Sequence, residues 1–403
     1  MMNPASRFAQ WTLLLVMGLA WQAQAADITP MGPGPYPAGN TNFQVTEEFA
    51  GFYDQQIRDW LAGYRQGSTL RFFNQHLAWP DDAWVIDVQV PDEPETYGFI
   101  SGQTVPVVVF LSYPTTPDND RPSYQFPFPD SENTVLRHMQ GPGDAPLFAD
   151  PTERYPLVLI SHGRNVHGIW EIDHAQRLAS HGYIALTMNY GDPRIYSISD
   201  PYLDTRFRPL AARTALDQVL ASEEFGKHID RSRIAVSGTS AGGHTSLALA
   251  GGRYLENSKN YNIPGVRAVV ATVPWVGGSS SNPNAFYPFG KDYAGLKAIK
   301  APVLGIFATL DTATPSYTIL PALQQLSGPR YIVEMIDQPH IFEGPSWDDL
   351  AAWELLFLDA YIKENPASLN KLRSARSMRG GNEDLQHFDR QALPPKTEQK
   401  SRN

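Results

Sequence analysis

Short apolar runs alternate with stretches of helical periodicity over most of this chain. The runs at 157–161, 183–189, 234–237, 266–273, 302–308 and 331–336 are rich in Val, Ile and Leu and lack polar alternation. That is the pattern of strands buried on both faces. Two earlier runs, 84–90 and 105–113, read as further strands, which makes eight. Helical periodicity fills the intervals at 169–180, 210–224 and 347–364. The repeating order of strand, loop and helix predicts an α/β fold, an eight-stranded mostly parallel sheet with helices on both faces. No repeat of fixed period interrupts it.

Three regions depart from this pattern. Residues 26–45 are rich in Pro, Gly and Asn and read as an exposed lead-in or linker. After them, Phe49, Phe52, Tyr53, Ile57, Trp60 and Leu61 recur at rough helical spacing. This predicts a helix over 47–61, outside the main sheet, that either packs on the body or partly covers a site. A polar, Pro-rich insertion of about forty residues separates Pro114 from Pro156, longer than compact domains usually carry without a purpose. A short helix is expected in it near 132–138. The stretch 365–403 is polar without apolar periodicity, and a surface or disordered tail is expected there. The domain organisation read from the pattern is therefore 1–25, 26–83, 84–364 and 365–403.

Residues 1–25 read as a secretory signal peptide. Arg7 precedes an apolar stretch at 11–20, and Ala23-Gln24-Ala25 supplies a small-residue cleavage signal before Ala26. The apolar stretch is shorter than the roughly 20 residues that span a bilayer, so cleavage after Ala25 and a soluble product in a periplasm or outside the cell are expected. With 403 residues of which 42% are hydrophobic, the chain can bury a sizeable core. A net charge of -10 argues against nucleic acid and anionic membranes as partners. No cysteine is present, which excludes thiol catalysis, thiolate metal sites and disulfides.

The chemistry concentrates in Gly238-Thr239-Ser240-Ala241-Gly242-Gly243, between the apolar run 234–236 and a small-residue helical stretch at 245–250. A serine on a sharp strand-to-helix turn needs glycines where no Cβ can be accommodated. Its hydroxyl also needs a base, and the base needs an orienting acid. Asp311 follows the run 302–308 and His340 follows the run 331–336, so both fall at the carboxyl ends of later strands in the order serine, acid, histidine. Asp337 and Glu334 are the rival acids, one in a loop close before His340 and the other within a strand. Backbone N–H groups of Ala241 and of Arg164, in Ser161-His162-Gly163-Arg164-Asn165, are the expected oxyanion donors.

Other candidates have two readings. Trp275, Trp170 and Phe342 either line an acyl or aromatic pocket or belong to the core. His167, His174 and His181 recur at a seven-residue interval, but two helical turns separate neighbours by about 10.5 Å, so surface or capping roles are favoured over a metal site. His244 is expected to pack locally. No metal or cofactor is called for.

Ile160-Ser161-His162-Gly163, Arg177-Leu178-Ala179-Ser180-His181-Gly182-Tyr183 and the glycine-flanked serine resemble an α/β-hydrolase branch. It contains dienelactone-hydrolase-like proteins, platelet-activating-factor acetylhydrolases and cutinase-like polyester hydrolases. The resemblance covers roughly 84–364. It implies the α/β-hydrolase fold, a triad of Ser240, Asp311 and His340, an oxyanion hole of Arg164 and Ala241, and a substrate-facing role for Trp275. Dienelactone hydrolases proper use a cysteine, and the polyester hydrolases lack the additions at 26–83, 114–156 and 365–403. A secreted serine ester hydrolase with a fairly open cleft is expected, acting on short-acyl, lipid or polyester-type esters. A serine peptidase or amidase, or a non-catalytic binding protein on the same scaffold, remains as the alternative.

Overall fold

The computed structural model describes residues 32–43, 84–126, 134–141, 143–164, 168–190, 201–255, 259–278, 286–375 and 385–389. The expected signal peptide and the helix at 47–61 lie outside them. Strands β1 (Ala38–Asn40), β2 (Val85–Gln89), β3 (Thr104–Pro114), β6 (Tyr155–Ser161), β7 (Ile184–Asn189), β8 (Ile229–Thr239), β9 (Val266–Thr272), β10 (Val303–Ala308), β11 (Arg330–Met335) and β12 (Leu385–Asp389) form one ten-stranded sheet. Short strands β4 (Tyr124–Gln125) and β5 (Val135–Leu136) pair apart from it. The order across the sheet is β1-β3-β7-β6-β8-β9-β10-β11-β12, with β2 beside β1 on the same edge of β3. From β7 to β11 every pairing is parallel, and the pairings at both ends are antiparallel.

From β6 onward, chain direction across this sheet reverses once. From β6 the chain passes through α2 (Ile172–Ser180), which follows the one-turn helix α1 (Pro94–Tyr97) in the sequence, to β7 on one side. It then returns through α3 (Pro201–Ala221) to β8 on the other side of β6, and through α4 (Ala241–Leu249) to β9. Right-handed crossovers taken in opposite directions put their helices on opposite faces of the sheet. Accordingly α3 and α4 pack together. Helices α5 (Ser316–Gln324) and α6 (Ser346–Tyr361) follow β10 and β11. The carboxyl ends of β6 and β8 are neighbours, with Ser161 opposite Gly238. An open α/β sheet binds ligands at such a reversal.

The structure corrects part of the reading in each of the three added regions. Residues 38–43 are no exposed linker: β1 pairs with β3, and Asn40 and Phe43 are fully buried. Asn40 is satisfied there by the Ser112 hydroxyl, the Arg137 carbonyl and Gln176, so its polarity conceals a buried position. Within the insertion the segment 134–138 holds the strand β5, not a helix. Phe126, Leu136, Met139 and Phe148 are buried there and tie the insertion to the core. Beyond 365, the described residues 366–375 and 385–389 are folded, as a helix and as the strand β12. Asn365 caps α7 (Pro366–Ser374) by accepting from the N–H groups of Ala367 and Ser368 at 2.9 and 3.2 Å. Pro366, at the first turn, needs no N–H partner.

Helix α7 packs against α6 and buries Leu372 completely. Leu372→Ala is therefore expected to destabilise the protein by about 2–5 kcal/mol, measured as a lower denaturant midpoint at unchanged m value.

Candidate active site

Strand β8 ends at Thr239 and α4 starts at Ala241, so Ser240 carries the whole change of direction. Its φ of +57° and ψ of -115° lie where side chains are rarely tolerated. Three hydrogen bonds hold it there: Ser240 N–H donates to Thr272 O, and Ser240 O accepts from the N–H groups of His244 and Trp275. The glycines are needed for space. A Cβ on Gly242 would meet Ser161 O at 1.8 Å, and one on Gly238 would meet Gly242 C at 2.4 Å. The turn is thus pressed between its own helix and the end of β6.

The strand ends bring three side chains together. His340 Nε2 lies 3.0 Å from Ser240 Oγ, and His340 Nδ1 lies 2.7 Å from Asp311 Oδ2. A proton on Nδ1 donating to Asp311 leaves Nε2 free to accept from the serine hydroxyl. Asp311 is 4% exposed, and burial alone would raise its pKa. Hydrogen bonds from His340 and Thr314 outweigh that and hold it below the ordinary carboxylate value. The Ala313 and Thr314 N–H groups both donate to Oδ1 at 2.8 Å. Thr314 Oγ1 is 2.7 Å from Asp311 Oδ2 and 3.2 Å from His340 Nδ1. Sequence reasoning missed Thr314, although a threonine closing the turn after an aspartate is a local signal. Asp337 and Glu334 lie apart from this relay, Glu334 within β11.

On the opposite side, Ala241 is the first residue of α4, so its N–H has no partner within the helix. The loop after β6 is held from behind by Arg208 of α3, which is fully buried. Arg208 Nη1 donates to His162 O at 2.6 Å and Nη2 to Gly163 O at 3.2 Å. In a trans peptide the C=O and the following N–H point in opposite directions. Fixing Gly163 O on Arg208 therefore turns the Arg164 N–H the other way. No motif marks Arg208, which sits in an ordinary helical pattern.

A cavity of about 460 Å³ adjoins Ser240 and His340. Trp170, Ile341, Trp347, Leu350 and Ala351 form its apolar lining, and Arg164, Glu171, His174, Arg177 and Glu354 are among its polar lining. Of the aromatics expected at this wall only Trp170 is there. Phe342 is 3% exposed and packs against Trp347, which takes the wall position instead. Trp275 lies outside the cavity, its ring near those of His244 and Phe286 and its N–H donated to Gly278 O. His244 is buried as expected and is held neutral, its pKa lowered to about 3 by burial.

His174 is neither a cap nor a surface group. Its Nε2 lies 2.8 Å from Glu354 Oε2 of α6, and its Nδ1 lies 3.3 Å from Glu171 Oε2. His181 goes elsewhere, to Gly32 O, and His167 lies outside the described residues. Burial would push the His174 pKa down, but Glu354 and Glu171 outweigh it and raise it from 6.5 to about 10. Because the folded value lies above the ordinary one, the charged form stabilises the fold below pH 6.5 and that contribution is lost toward pH 10. Thermal unfolding followed between those limits should show a steeper loss of stability in the native protein than in His174→Gln. Equal slopes would exclude the charged pair.

No family model matches the chain. A stretch of 145 residues, 36% of this chain, is 31% identical to Cutinase 2 of Thermobifida cellulosilytica and to Cutinase cut1 of Thermobifida fusca. The match spans 43% and 35% of those relatives, so the chain covers well under half of their length. The strand order, the glycine-pressed turn at Ser240 and these matches agree. The chain has the architecture of an α/β-hydrolase and, over the matched stretch, resembles the cutinase-like polyester hydrolases.

Proposed function

We propose that this protein is a serine carboxylic-ester hydrolase that works through an acyl-enzyme. The observation that carries this reading is the continuous relay from Ser240 Oγ through His340 to Asp311, at 3.0 and 2.7 Å, on the edge of a cavity large enough for one half of an ester. His340 takes the serine proton as Oγ attacks the carbonyl carbon, and Asp311 stabilises the imidazolium that forms. The N–H groups of Ala241 and Arg164 receive the negative charge on the carbonyl oxygen, which is worth about 2.7–4 kcal/mol per donor. His340 then gives its proton to the leaving alcohol, and water repeats the sequence to release the acid.

Access fits the same reading. Ser240 is partly exposed and the His340 side chain is 25% exposed, while residues 44–83 lie outside the described residues. The reading includes export after cleavage at Ala25. Among the described residues no helix is long and apolar enough to cross a membrane.

Hydrolysis of p-nitrophenyl esters of increasing acyl length tests this directly. Ser240→Ala should lower kcat by roughly 10⁴–10⁶-fold. Turnover that survives this change would remove the serine mechanism, and inertness of the native protein on every ester would remove the esterase reading. Thr314→Val should lower kcat about tenfold with little change in KM, since it loosens the acid and base without touching substrate. An equal rise in KM would place Thr314 in substrate binding instead.

A further inference from the structure

The cavity beside Ser240 carries polar groups that an alkyl chain or a plain aryl ring cannot satisfy. Glu354 is 1% exposed, and its Oε1 has no hydrogen-bond partner among the described residues. Its other oxygen is held by His174, which fixes the carboxylate in place. Arg177 Nη1 and Arg164 Nε are also buried atoms without a partner, although Arg177 Nη2 binds Asp348 at 2.8 Å. All three residues line this one cavity. Buried polar atoms in native proteins are nearly always paired, so an acceptor and two donors without partners, on residues that line one cavity, describe the ligand that belongs there. It must both donate and accept hydrogen bonds.

The rest of the lining narrows the class. Trp170 and Trp347 are 41% and 43% exposed on the same cavity, which is unusual for so large an apolar side chain. A sugar ring offers polarised C–H groups to an indole face and hydroxyls around its rim. Those hydroxyls donate to a carboxylate and accept from a guanidinium. A fatty chain would cover the tryptophans and leave the polar atoms open. A free ammonium or carboxylate group would answer one sign of charge and meet the other unpaired.

We infer that the substrates of this site are acyl esters of carbohydrates, with the sugar held against Trp170 and Trp347 and hydrogen-bonded to Glu354, Arg177 and Arg164. This rests on the ester-hydrolase reading above. Ser240 Oγ bonds to the acyl carbon, the bond from that carbon to the sugar oxygen breaks, and His340 returns its proton to that oxygen. Water then attacks the acyl-enzyme and frees the acid.

The test holds the acyl group constant. The full chain is assayed on a monoacetylated methyl β-xyloside, on ethyl acetate and on p-nitrophenyl acetate. The sugar acetate should exceed ethyl acetate in kcat/KM by at least about tenfold, and Glu354→Gln should cut that ratio by about tenfold, the size expected for a lost hydrogen bond to a charged group. Trp170→Ala and Trp347→Ala, both at exposed positions, should cut it similarly and keep the test alive if the Glu354 variant does not fold. A ratio near one, or a ratio that no variant moves, overturns the sugar assignment while turnover of p-nitrophenyl acetate leaves the hydrolase reading intact. If no ester is turned over, calorimetric titration of the Ser240→Ala protein with the acetylated xyloside decides the matter. Millimolar or tighter binding that Glu354→Gln abolishes supports the assignment, and no detectable binding overturns it.

Discussion

The closest approach in the site is made by backbone alone. Gly242, in the first turn of α4, lies so near Ser161 O that a methyl group there would overlap it. This contact exists because β6 and β8 are neighbours at the one place where the sheet order reverses. It brings the loop that follows β6 alongside the serine turn that follows β8. The positive φ of Ser240 follows from the same crowding, since a relaxed turn would need room that Ser161 occupies. The segments after β10 and β11 then bring Asp311 and His340 within hydrogen-bond reach of this turn.

Two cations flank this arrangement, the fully buried Arg208 and the partly buried His174, and they solve the problem of burial differently. Taking a charge from water is costly unless partners replace the solvent. Arg208 is compensated by backbone carbonyls and by the face of Tyr190, 4.9 Å from its guanidinium carbon. His174 is compensated by two carboxylates, Glu171 just before α2 and Glu354 of α6, and it joins the helix after the β6 loop to the helix after His340. The first fixes a loop from behind. The second fixes the cavity wall, because a carboxylate committed through one oxygen can present the other in only one direction.

The architecture was legible where sequence and burial agree. Strands covered on both faces must be apolar throughout, so β6 to β11 declared themselves, and the glycines around Ser240 marked the turn because only they fit it. The approach of Asp311 and His340 to Ser240 could be read from strand ends in a parallel sheet, without knowing any contact. What escaped was polarity that is satisfied by distant residues. Asn40, Arg208 and Glu354 look like surface residues in the sequence, yet each is 0–1% exposed. Their partners lie on other elements, out of reach of any local pattern. The aromatics failed for the converse reason. Trp347 and Phe342 are close in sequence, and only the turn into α6 decides which faces the cavity.

The strand β12 pairs antiparallel with β11 along its free side. Without it, β11 would end the sheet with a row of unanswered backbone groups, the surface on which foreign strands add and chains polymerise. Residues 385–389 thus cover that edge of the sheet. In a chain without cysteines no disulfide can hold this strand in place, and backbone pairing alone keeps the edge closed.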